Sequence, residues 1–162
     1  MHRGRQAVSW KPTCVAVAVV AGVLNASAAF AQASASCTIS VSSMNFGSYN
    51  VFSGSDLDST ATITYNCNPQ AHPISITLGK GQSSTYSPRT MNQGSELLNY
   101  NLYRDAARTS VWGDGTGGTG IYSQANPPNN TDVNVTIYGR VPASQDVGAG
   151  SYSDTVSATI NF

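Results

Sequence analysis

Charge is scarce in this chain of 162 residues. Lys and Arg total 8, Asp and Glu total 8, and charged residues make up 10% of the sequence. A typical soluble domain carries about a quarter. No segment shows a convincing helical period. A basic stripe is also missing, which argues against a nucleic-acid partner. No apolar run approaches the roughly 18 residues of a membrane-crossing helix, so the mature protein is not expected to span a membrane. Cysteine and histidine are rare: three of the first, two of the second, and no CxxC. These counts leave little material for a metal site or a catalytic triad. Internal repeats and domain boundaries are absent as well.

The sequence does carry an export signal. His2, Arg3, Arg5 and Lys11 form a basic start, Cys14 to Leu24 is an apolar stretch of eleven residues, and Ala29-Phe30-Ala31 is an A-x-A cleavage site. Residues 1–31 are therefore expected to be removed, leaving one domain of 131 residues, 32–162. The processed chain keeps five basic residues (Lys80, Arg89, Arg104, Arg108 and Arg140) against eight acids, a net charge of −3. Ser, Thr and Asn supply 46 of its 131 residues, the usage of exposed β faces and turns. Cys14 leaves with the signal. Cys37 and Cys67 remain, so one pairing is possible, and in an oxidising compartment a disulfide is expected. Chain entropy assigns such a loop roughly 3.5–4 kcal/mol.

The processed chain reads as short strands. Cys37, Ile39 and Val41 alternate with polar residues. So do Ala61, Ile63, Tyr65 and Cys67; Ile74, Ile76 and Leu78; Leu98, Tyr100 and Leu102; Val133, Val135 and Ile137; and Val156, Ala158, Ile160 and Phe162. This period of two marks half-buried strands. A weaker run covers 109–112, and residues 105–108 could form a single helical turn. Ser53-Gly54-Ser55-Asp56, Asn68-Pro69, Ser87-Pro88, Asn126-Pro127-Pro128 and Gly148-Ala149-Gly150 break the runs as turns. Six runs and one weak one predict an all-β antiparallel sandwich. The run 154–162 has no evident partner after it, so the sandwich is expected to leave an open, apolar edge.

Candidate chemistry is thin. Gly113 to Gly120 matches G-x-G-x-x-G twice, but without a following helix it is expected to be a hairpin loop, not a dinucleotide site. Asp56 and Asp58 lie two apart in a Ser/Gly-rich loop, a spacing that assures neither glycosidase geometry nor calcium binding, and they read as a solvated turn. His72 has no nearby acid or second histidine. Lys80 lacks the rest of a phosphate loop and reads as a charged turn. Asn129-Asn130-Thr131 and Asn134-Val135-Thr136 fit a glycosylation sequon. Among the aromatics, Trp112 and Tyr122 flank the glycine loop and are the candidates for an adhesion surface.

Several motifs together resemble the spore coat protein U domain. They are Cys37-Thr38-Ile39-Ser40-Val41, Asn45-Phe46-Gly47, Thr62-Ile63-Thr64-Tyr65-Asn66-Cys67, the run from Leu98 to Arg108, Val111-Trp112-Gly113, Tyr138-Gly139-Arg140-Val141-Pro142 and the run from Gly150 to Phe162. They fall in order over nearly the whole processed chain. The family includes subunits of archaic chaperone–usher pili of the Csu type. The resemblance implies an incomplete immunoglobulin-like sandwich with an open edge groove. It further implies a periplasmic chaperone, an outer-membrane usher and neighbouring pilus subunits as partners. A strand given by a partner would complete the fold, the mode called donor-strand complementation. The expected groove residues are Ile39, Val41, Val156, Ala158, Ile160 and Phe162. Residues 32–36 hold no large apolar side chain, so the chain is expected to accept a strand more readily than to give one. The resulting expectation is a non-enzymatic, cofactor-free subunit of a surface appendage or coat, exported through the periplasm to the cell surface and supporting adhesion or biofilm formation. The alternative is a stand-alone secreted or tip adhesin that binds a surface or glycan through exposed loops.

Overall fold

The computed structural model describes residues 34–69 and 73–162. The expected signal peptide, its cleavage site and His72 lie outside the described residues. Eight strands follow in order: β1 Cys37–Val41, β2 Leu57–Cys67, β3 Ile74–Leu78, β4 Arg89–Gln93, β5 Glu96–Tyr103, β6 Tyr122–Gln124, β7 Val133–Val141 and β8 Ala158–Asn161. The described residues contain no helix, and residues 105–108 form a turn in which Arg108 N–H donates to Asp105 O at 3.0 Å.

The strands form two antiparallel sheets. One has the order β1-β2-β7-β5-β4 and the other β6-β3-β8. Period-two alternation explains which side each strand buries. In β2, Ala61, Ile63, Tyr65 and Cys67 are buried, while Thr62, Thr64 and Asn66 between them face outward. β3 buries Ile74, Ile76 and Leu78, and β5 buries Leu98, Tyr100 and Leu102. Each fully buried isoleucine contributes about 1.5–3 kcal/mol relative to exposure. The longest ladder pairs β2 with β7 from Leu57↔Val141 to Tyr65↔Val133. The short β1 pairs with β2 alone, and its register sets Cys37 opposite Cys67. These two cysteines form a disulfide, 30 residues apart in sequence.

β4 and β6 were not among the runs expected from alternation. β4 has one apolar inward residue, Met91, and its other inward position is Arg89, which is 0% exposed. The guanidinium is fully engaged. Nε and Nη2 donate to Gly79 O at 3.0 and 2.8 Å, Nη1 to Asn101 Oδ1 at 2.7 Å, and Nη2 also to Trp112 O at 2.7 Å. The Tyr86 ring lies 5.3 Å from its carbon. Arg89 thereby ties β4, β5, the end of β3 and the segment at Trp112 into one knot, and burial holds its pKa below the usual arginine value. The weak run at 109–112 supplies single bridges, Tyr103↔Val111 and Trp112↔Gly120.

Candidate strand-accepting groove

The three-stranded sheet covers only part of the larger one. At the covered end, Tyr65 of β2 meets Tyr122 of β6 with ring centroids 6.1 Å apart, and Trp112 stands 6.3 Å from the same ring. At the other end two adjoining cavities of about 750 and 470 Å³ open over the inner face of the large sheet. Leu57, Met91, Leu98 and Val141 line the larger cavity, and Ala61, Met91, Leu102 and Ile137 line the smaller. Met44, Phe46, Met91 and Tyr152 belong to both, so the cavities are two parts of one groove.

Two extended segments form its sides. The first continues beyond β1. Ser42 N–H donates to Thr62 O at 2.9 Å, and Ser59 Oγ donates to Asn45 O at 2.6 Å. Met44 and Phe46 then turn inward onto Gly139, an inward position of β7. A Cβ on Gly139 would collide with the Met44 sulfur and the Phe46 ring. Glycine is what allows these side chains to rest on the strand backbone, between Ile137 and Val141. The Phe46 ring meets Tyr100 edge-on at 6.0 Å. Further along, the Tyr49 hydroxyl donates to Pro142 O at 3.0 Å and accepts from Gln145 N–H at 2.8 Å.

The second side runs from Tyr152 into β8. Tyr152, Asp154, Val156, Ala158 and Ile160 are half-buried, while every residue between them is exposed. This segment is anchored to both sheets. Ser153 exchanges two backbone hydrogen bonds with Asn92 of β4, at 2.9 and 3.2 Å, and Gly79 N–H donates to Ser157 O at 2.8 Å. Asp154 takes three donors: Tyr100 hydroxyl at 2.6 Å, Gln82 N–H at 2.9 Å and Thr155 N–H at 2.7 Å. Burial first, and the Asp154 carboxylate second, push the Tyr100 phenol well above the usual tyrosine range. β1 and β8 come close across this open side, yet they belong to different sheets and do not pair.

The residues expected to line the groove divide into two sets. Val41, Val156 and Ala158 line the smaller cavity. Ile39 and Ile160 are half-buried against the core and line neither cavity, and Phe162 stands outside, 57% exposed. Sequence reasoning did not single out Met44, Met91, Val147 or Tyr152. Met44 and Phe46 alternate like a strand, but no ladder carries them. Met91 sits in the polar-looking β4.

Trp112 and the Asp56–Asp58 pair depart from expectation. Trp112 presents no ring to a ligand: it is 0% exposed and its Nε1 donates to Ile76 O at 3.0 Å. Tyr122 is half-buried against Tyr65 and Trp112. The glycine run is a loop with positive φ at Gly115, Gly117 and Gly118, and Asp114 receives Thr116 N–H at 2.9 Å within it. The Thr116 hydroxyl first, and that N–H second, lower the Asp114 pKa to about 2. Asp56 and Asp58 are not merely solvated. Arg140 binds Asp58 through two nitrogens at 2.8 and 2.9 Å and reaches Asp56 at 3.1 Å, and Arg108 lies 3.2 Å from Asp58. The Arg140 hydrogen bond, more than any other influence, lowers the Asp58 pKa. Lys80 lies over the Tyr86 ring at 5.2 Å. Among the described residues no group of three or more His, Cys, Asp or Glu is placed to hold a metal ion, and no helix is long and apolar enough to cross a membrane.

Two antiparallel sheets, one incompletely covered, define an all-β sandwich of immunoglobulin-like type with an open groove. The sequence matches the Spore Coat Protein U domain over residues 21–159, and the chain belongs to that family. It is 38% identical over 133 residues to Protein U of Myxococcus xanthus, a match covering 74% of this chain and 71% of that protein. In fold it is similar to a chain in the crystal structure of the CsuC–CsuE chaperone–tip adhesion subunit pre-assembly complex from archaic chaperone–usher Csu pili of Acinetobacter baumannii. That match has 23% identity and a TM-score of 0.57, and it spans 79% of this chain but 40% of that one. The Escherichia coli Hda pilus minor tip subunit HdaB matches at 14% identity and a TM-score of 0.41, over 76% of this chain and 79% of that one, too low to carry an argument.

Proposed function

We propose that this protein is a structural, non-enzymatic subunit of a bacterial surface appendage or coat, and that its groove accepts a β-strand from another chain. The observation that carries this reading is the groove itself. It is an apolar floor with two extended sides, of which one continues β1 and the other leads into β8. A strand laid between them would add backbone hydrogen bonds and bury alternate side chains on the exposed floor. Residues 1–31 act as the export signal, and residues 32–162 form the mature domain. A periplasmic chaperone supplies the first strand and a neighbouring subunit replaces it at an outer-membrane usher. The likeness in fold to a chain from a chaperone–tip adhesion subunit complex supports the chaperone step. The product stands at the cell surface and serves adhesion or biofilm formation.

The test adds a ten-residue peptide alternating valine or isoleucine with threonine or lysine, about 33 Å when extended. Each large side chain it buries contributes about 1.5–3 kcal/mol before ordering costs. The peptide should bind with low-micromolar or better affinity and raise the thermal midpoint by several degrees. Val156→Asp should abolish both effects by facing the peptide with an unpaired charge. A protein whose midpoint the peptide leaves unchanged would refute the reading.

A second reading, contact with a surface through loops, is favoured by one residue. Phe52 is 93% exposed. Asn50 holds it there, its Oδ1 accepting Phe52 N–H at 3.0 Å and its carbonyl accepting Ser53 N–H at 2.9 Å. On this reading, Phe52→Ser should keep the thermal midpoint yet reduce retention on a hydrophobic surface in a wash assay. Unchanged retention would remove the loop from consideration.

A further inference from the structure

The sequence holds three methionines. Apart from Met1, both line the groove, and both line its two cavities. Met44 is half-buried on one side of the groove and rests on Gly139; Met91, 9% exposed, lies in the floor. Elsewhere the described chain has no methionine, and Cys37 and Cys67 are already joined. The thioethers oxidisable by peroxide are thus gathered at the one apolar surface that awaits an occupant.

We propose that Met44 and Met91 form an oxidation-sensitive site that reports and controls whether the groove can be filled; this rests on the strand-accepting reading above. The reactant is a peroxide, such as hydrogen peroxide. A sulfur lone pair attacks one peroxide oxygen, an S–O bond forms and the O–O bond breaks. The sulfur is oxidised by two electrons, and the proton of the attacked oxygen passes to the departing hydroxide, which leaves as water. The sulfoxide is polar and chiral where the thioether was apolar. Met44 has backbone and aromatic neighbours, the Gly139 position and Phe46, and the floor around Met91 is supplied by Leu57, Leu98 and Val141. A new S=O in that lining meets an incoming strand with an acceptor that the strand's apolar side chains cannot satisfy. An occupied groove covers both sulfurs and protects them. Oxidation thus separates subunits caught empty from those already filled. Met44, the more exposed, reacts first.

The test treats the whole exported protein with hydrogen peroxide, with and without the alternating peptide, and maps oxygen gain by peptide mass spectrometry. Without peptide, Met44 and then Met91 should gain one oxygen each; with peptide bound, both rates should fall about tenfold or more. The oxidised protein should bind the peptide about ten- to a hundredfold more weakly, the range for burying one poorly paired polar group. A Met44→Leu, Met91→Leu double variant should bind the peptide equally before and after peroxide. Equal oxidation with and without bound peptide, or unimpaired binding after oxidation, would overturn the proposal while leaving the groove's role intact. Failure of the untreated protein to bind the peptide overturns the strand-accepting reading, and this proposal with it.

Discussion

Arg89 stands at an inward strand position where a sequence reader expects an apolar side chain. No carboxylate hydrogen-bonds to it. Its charge is spread over three neutral acceptors, the carbonyls of Gly79 and Trp112 and the side-chain oxygen of Asn101. Only a planar fork with several donors can reach all three at once. Replacing it strips the Gly79 and Trp112 carbonyls of their guanidinium donors, while Asn101 Oδ1 keeps only the Leu102 N–H at 2.9 Å. Arg89→Met should therefore cost about 2–4 kcal/mol in chemical denaturation. Arg89→Lys should recover little of the loss, because one ammonium cannot span the acceptors. A lysine variant as stable as the parent would show that charge, not the fork, holds the knot. Trp112 makes the same point in reverse. Its neighbourhood of glycines reads as an exposed loop, yet its indole is enclosed because Nε1 finds the Ile76 carbonyl.

At the scale of elements, β7 places Gly139 between two buried apolar residues. The vacancy at that position is where the first side of the groove is seated. Gly139→Ala should lift Met44 and Phe46 away from the sheet and destabilise the fold by about 1–3 kcal/mol, the usual effect of overpacking. A Phe46→Ala, Gly139→Ala double variant should lose less than the sum of the single changes, since the two positions share one collision. Full additivity would mean that the segment does not depend on the glycine. Elements with plain alternation were legible from sequence: β1, β2, β3, β5, β7 and β8 were all visible as runs, and so was the Cys37–Cys67 pairing. β4 was hidden because Arg89 breaks its apolar face, and β6 because three residues cannot display a period. Val41, Val156 and Ala158, expected at the groove, line the smaller cavity. Met44 and Met91 were not singled out: Met44 is seated by Gly139 of β7, distant in sequence, and Met91 is the lone apolar residue of a polar-looking strand.

For the whole molecule, the two sheets share one core at the Tyr65 end and part at the Leu57 end, so stability is unevenly distributed. The covered end holds the fully buried Ile63, Ile74, Ile76 and Trp112. The open end depends on segments with few ladders, and the residue-scale and element-scale variants above act at the boundary between the two. The disulfide sets how the molecule bears force. β1 has a five-residue ladder on one side only, and a short edge strand of this kind peels under tension. A pull entering at Ser36, however, reaches Cys67 through a covalent bond, reinforced by the Asn68 N–H donated to Ser36 O at 2.8 Å. The load therefore bypasses the β1 ladder and arrives at the end of β2, the eleven-residue strand that is paired on both sides. Under oxidising conditions this one-sided edge strand is tied covalently to the longest strand of the sandwich; under reducing conditions its five-residue ladder and the hydrogen bonds flanking it must carry the tension.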